Sequence, residues 1–125
     1  MILRTTILTF AALLSLSAPA FAETSPAFEE ARDFVTAGKV GQALLVIGVG
    51  AMGINDQDDA GMTLLHYAAR SGSLESVTEL LRAGADPTIE ADGVGTAITL
   101  AKADDVRAAL KIALDERGKA AGPAR

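Results

Sequence analysis

The sequence predicts an all-α fold, a short solenoid of about three stacked helix-turn-helix units. Three observations predict it. Apolar residues recur at helical rather than alternating spacing, in short segments of which the first four end at a glycine. Polar, turn-forming stretches separate pairs of these segments. The pattern also repeats: Thr63 and Thr96 lie 33 residues apart, as do Leu65 and Ile98, Ala68 and Ala101, Val77 and Leu110, and Leu81 and Leu114. Gly72 and Gly84 follow Gly38 and Gly50 by 34. A period of this length marks units that bury their apolar faces against each other rather than alone.

The first 22 residues stand outside that pattern. Arg4 supplies a positive charge, Ile7–Leu16 an apolar run, and Ala20-Phe21-Ala22 a small-residue site after Pro19. These are the parts of a cleavable signal peptide, and they predict export to the periplasm or beyond. Cleavage after Ala22 leaves 103 of the 125 residues and, with Arg4 lost, moves the net charge from −5 to −6. So acidic a chain lacks the basic footprint of a nucleic-acid binder, and after cleavage no membrane segment is expected. The sequence has no cysteine and one histidine. That excludes disulfides, thiolate metal sites and cysteine nucleophiles, and it leaves little for general base catalysis.

Ser25-Pro26 reads as a helix cap followed by proline at the first helical position, opening a helix through Ala37 with Phe28, Ala31, Phe34 and Val35 at helical spacing. Gly38 ends it. Val40–Val49 is a second short helix, apolar all round. Ile54–Gly61 (INDQDDAG) is a polar turn. Thr63 caps a helix that stops at Ser71-Gly72. In the next helix Leu74, Val77, Leu80 and Leu81 share one face, with Glu75, Ser76, Glu79 and Arg82 on the other, and Gly84 ends it. Residues 87–95 form another turn, and Thr96–Ala103 and Val106–Glu116 the last pair of helices. Residues 118–125 have nothing to bury and are expected to form a disordered tail.

Gly61–Pro87, GMTLLHYAARSGSLESVTELLRAGADP, resembles an ankyrin repeat. It carries that family's G-x-T-P-L-H-x-A-A and L-L-x-x-G-A-D segments, with Leu64 where proline is usual. The flanking stretches match only at apolar, alanine and glycine positions and look like degenerate capping repeats. The expected units are 26–55, 56–89 and 90–117, within a domain spanning 23–117. The resemblance implies that Thr63 and His66 tie helix to connector by hydrogen bonds. It also implies binding of a protein through turn tips and exposed inner-helix positions, with no cofactor and no catalytic site. An inhibitor or immunity role and a stabilising, chaperone-like role both fit.

On this chain the tips carry Asp56, Asp58, Asp59, Glu90 and Asp92, and the inner-helix positions are Asp33, Tyr67 and Arg70. Tyr67 beside Arg70 is the best candidate, because these residue types concentrate at interface hot spots. In the outer helix of the first unit, Leu44 and Leu45 align with the outward-facing Thr78 and Glu79. Leu44, Leu45 and Val49 are therefore expected to meet a partner, a second copy of the chain, or the N-terminal segment.

Two stretches imitate ligand sites. Gly48, Gly50 and Gly53 spell G-x-G-x-x-G, the dinucleotide fingerprint, but that motif needs a strand before it and a helix opening within it. The residues that follow, INDQDDAG, have no apolar face, and the alignment makes Gly50 a helix stop. Asp56–Gly61 begins like a calcium loop, with acids at positions one and three and glycine at six. Ala60 stands at five and Tyr67 at twelve, where ligands belong. An enzyme or ligand-binding protein using the 48–53 glycines or the 56–61 loop is the competing reading.

Overall fold

The computed structural model describes residues 24–121, so the expected signal peptide lies outside the described residues. Among the described residues six helices follow one another: α1 (Pro26–Thr36), α2 (Val40–Gly48), α3 (Leu64–Ser71), α4 (Leu74–Arg82), α5 (Ala97–Leu100) and α6 (Asp104–Ala121). No strand is present among the described residues; only an isolated antiparallel bridge joins Ala91 to Gly95. Each odd-numbered helix packs against its even-numbered successor. Across units, α1 meets α3 and α3 meets α5, while α2 meets α4 and α4 meets α6. The result is a two-layer solenoid of three units, with an inner row α1-α3-α5 and an outer row α2-α4-α6.

Local chemistry sets the helix ends. The Ser25 side chain accepts from the Phe28 amide at 3.1 Å, with Pro26 at the first helical position. Ser73 caps α4 by accepting from the Ser76 amide at 3.2 Å. Gly38, Gly50, Gly72 and Gly84 all have positive φ at helix stops, a conformation that side-chain-bearing residues adopt at a cost. The 34-residue spacing is the spacing of these stops.

The core runs along the contact between the rows. Phe28, Ala31, Val35, Ala43, Leu64, Leu65, Ala68, Val77, Leu80, Ala97, Val106 and Leu110 are buried in one continuous cluster. Alanines on the inner helices let the rows approach closely, and the larger aliphatic side chains fill the gaps between units.

Several expectations need correction. The helix expected over Thr96–Ala103 is a single turn, Ala97–Leu100. The last helix starts at Asp104 and continues to Ala121, into the stretch read as a tail. Ser76, placed on the polar face of α4, is fully buried. It is satisfied there, since the Ser73 hydroxyl donates to its oxygen at 3.1 Å. Leu74, assigned to the apolar face, is exposed.

Candidate interaction surface

The central unit is built around Thr63 and His66. The Thr63 side chain accepts from the His66 amide at 3.4 Å, and His66 Nδ1 accepts from the Thr63 amide at 3.1 Å. This reciprocal arrangement is a capping box with histidine in place of the usual glutamate. His66 Nε2 lies 2.9 Å from the Gly95 carbonyl, which can only accept. The proton therefore sits on Nε2, and Nδ1 is left to accept. The Thr63–His66 exchange ties helix to connector, as the resemblance implies, and the bond from the buried His66 to Gly95 adds a tie from the central unit to the turn of the next.

The turns are laced in the same manner. Asp58 Oδ1 accepts from the amides of Ala60 (3.0 Å) and Met62 (2.8 Å). Its Oδ2 accepts from the Tyr67 hydroxyl. The Asp92 amide donates to the Ala60 carbonyl at 3.1 Å, which joins the second turn tip to the first. Asn55 spans the units farther back: its Oδ1 accepts from the Asp86 amide at 2.8 Å.

Tyr67 is not an exposed contact residue. Only 8% of it is accessible. Its ring meets Phe28 of α1 edge-on at 6.2 Å between centroids. Two guanidinium groups lie over it, Arg70 at 5.0 Å and Arg32 at 5.8 Å. Burial pushes the phenol pKa above its ordinary value, and the hydrogen bond to Asp58 and that carboxylate's charge add to the shift. The surface above Tyr67 is therefore made by the arginines. Arg70 is exposed, and Arg32 is half-buried and pairs with the exposed Asp33 at 3.2 Å.

Arg32 was not among the sequence candidates. Its proximity to Tyr67 arises between units, so no local pattern announces it. Asp58 is likewise not a free tip carboxylate, because its oxygens hold the turn and the tyrosine. Asp56 Oδ2 accepts from the Gly53 amide at 2.8 Å. The first two acids of the imitation calcium loop are thus committed to backbone and side-chain donors. No cluster of three or more His, Asp or Glu residues among the described residues is arranged to hold a metal ion. Glu90 and Asp92 remain exposed on the second tip.

The glycine motif does not form a nucleotide cradle. A helix, α2, precedes it; Gly48 is that helix's last residue; and no helix opens between Gly48 and Leu64. Gly50 has φ +84 and marks the stop.

On the outer row, Leu45 of α2 is 67% exposed and Val49, the C-cap residue of α2 one helical turn on, is 79% exposed. Leu44, expected to face outward with them, instead packs half-buried against the core. The Leu44–Leu45 pair is therefore split between two faces.

Comparison with known proteins agrees with this geometry. Residues 60–92 match the model of the ankyrin repeat family. The chain carries an ankyrin repeat. The matched stretch runs from the first turn tip, through both helices of the central unit, to the second tip. Among solved structures, the ankyrin-type solenoid is similar to a chain in the complex of a predatory endopeptidase from Bdellovibrio bacteriovorus with an immunity protein. Identity is 28%, the TM-score is 0.63, and the likeness covers 73% of this chain and 47% of that one. The match thus spans about half the length of that chain. No curated protein matches.

Proposed function

We propose that this chain is a non-catalytic, exported binding module of the immunity or inhibitor type, which holds one protein partner on its inner-row face and turn tips. The observation that supports the reading is the likeness, over most of this chain, to part of one chain from a structure of a peptidase in complex with an immunity protein. The local chemistry supports it. The polar groups that a hydrolase or a metal site would use, His66 and Asp58, are spent on holding the fold. The exposed polar groups at Asp33, Arg70, Glu90 and Asp92 sit on one rigid framework, which suits recognition without reorganisation. Export rests on the n-region, apolar run and Ala-Phe-Ala site of the first 22 residues. Self-association is a secondary reading, and it runs through Leu45 and Val49 rather than Leu44.

The test is co-purification of the tagged full chain from its own cells, followed by assay of the partner. One dominant partner at one-to-one stoichiometry, with a peptidase activity that the chain suppresses, is the expected result. A chain recovered alone, which leaves extracytoplasmic peptidase activity unchanged, contradicts the reading.

A further inference from the structure

The described arginines are Arg32, Arg70, Arg82, Arg107 and Arg117. Four of them have a carboxylate within 4 Å: Arg32 has Asp33, Arg82 has Glu79, Arg107 has Asp104 and Arg117 has Asp86. Arg70 has none among the described residues. Its guanidinium is nevertheless held in place, over the Tyr67 ring at 5.0 Å. A guanidinium on an aromatic face keeps its N–H edge free while its position is fixed, which lowers the ordering cost of a bidentate contact. Tyr67 itself cannot drift, because Phe28 and Asp58 hold its ring and hydroxyl. Arg32 lies over the same ring, so its charge adds to the potential at this point of an acidic chain. Its own partner, Asp33, is an exposed carboxylate in a single pair at 3.2 Å, and such pairs are displaced at little cost.

We propose that Arg70, seconded by Arg32, anchors an acidic side chain of the protein partner. The Tyr67 ring serves as the floor that positions both guanidinium groups. This rests on the protein-binding reading above and names the chemistry of the partner's contact: a glutamate or aspartate reaching the inner row between α1 and α3.

The chain contains one tyrosine and no tryptophan, so its intrinsic fluorescence reports on Tyr67 alone. The probe is a short blocked alanine peptide with two glutamates, compared with the same peptide carrying glutamines. With the full chain, the glutamate peptide is expected to change the tyrosine emission saturably and the glutamine peptide to leave it unchanged. Arg70→Gln should weaken the glutamate peptide about tenfold or more, and Arg70→Lys, which keeps the charge but loses the fork, by less. Arg82→Gln, remote on the outer row, should leave it unaltered. Equal responses to both peptides, or an undiminished response in Arg70→Gln, overturn the proposal. If the peptide fails while the natural complex still forms, the carboxylate anchor falls and the binding reading stands. If the peptide binds but no complex is found, the anchor stands and the binding reading falls.

Discussion

The hydroxyl of Tyr67 donates to Oδ2 of Asp58, and this one bond joins the inner helix of the central repeat to the turn before it. Asp58 also fixes that turn through the Ala60 and Met62 amides, so the two residues form one unit. Tyr67→Phe should cost about 1–2 kcal/mol, because it leaves a carboxylate oxygen short of a donor. Asp58→Ala, which loses all three bonds, should cost about 2–3 kcal/mol. In urea unfolding, the double variant should lose less than the sum of the single losses, because the residues share a bond.

The same pair gives a prediction at alkaline pH. Burial, helped by Asp58, raises the Tyr67 phenol above its ordinary value, so the folded state holds the proton more tightly than the unfolded state. The contribution to stability is therefore complete below the ordinary tyrosine pKa and is lost as pH rises through the folded value. Absorbance titration of the single tyrosine should show ionisation later in the native chain than in denaturant. At the acid end Asp86 behaves oppositely. Hydrogen bonds from the Thr88 hydroxyl and amide, with Arg117 nearby, lower its pKa, and its contribution is lost as pH falls through that lowered value.

His66→Ala should be among the costliest substitutions in the chain, at about 2–4 kcal/mol. It removes a bond to the Gly95 carbonyl and leaves the buried Thr63 cap without its reciprocal partner. Hydrogen exchange should show faster opening of the Thr63 amide together with the 91–95 turn.

Much of this architecture is legible in the sequence because its causes are local. Thr63 with His66, the stop at Gly72, and the apolar face Val77, Leu80 and Leu81 each follow from spacing within one unit. What is not legible arises between units. The burial of Tyr67 depends on Phe28, almost 40 residues away, and on an aspartate whose role in its turn has no sequence marker. Arg32 acquires its position only when α1 packs on α3. Leu44 aligns with Thr78, read from the sequence as outward-facing, but both are half-buried in the structure, and a helix apolar on all sides gives no sequence cue to its orientation.

The glycines separate two costs. Gly50 and Gly61 both have positive φ, +84 and +82. A Cβ at Gly50 meets nothing within 4 Å, whereas one at Gly61 lies 3.2 Å from the Asp92 nitrogen and 3.3 Å from the Ala91 Cα. Gly50→Ala should therefore cost only the backbone strain, about 1 kcal/mol. Gly61→Ala should cost more, by pushing the two turn tips apart. Thermal unfolding of the two variants side by side checks this.

The outer helix of the first unit offers a similar contrast. Leu44→Gln should destabilise the chain by about 1–2 kcal/mol, through lost burial. Leu45→Gln should change stability by less than about 0.5 kcal/mol, since the side chain is mostly solvated. If the chain self-associates, sedimentation should show Leu45→Gln weakening the association.

The central claim is that a protein partner is held on the inner row and turn tips. The most direct test is hydrogen-exchange footprinting of the chain in complex with the partner that co-purifies with it. The account predicts slowed exchange over the 56–61 and 90–95 turns and over α1 and α3 around Arg32 and Arg70, with α2 and α6 unchanged. Protection confined to α2 or α6, with the turns exchanging as in the free chain, would contradict it.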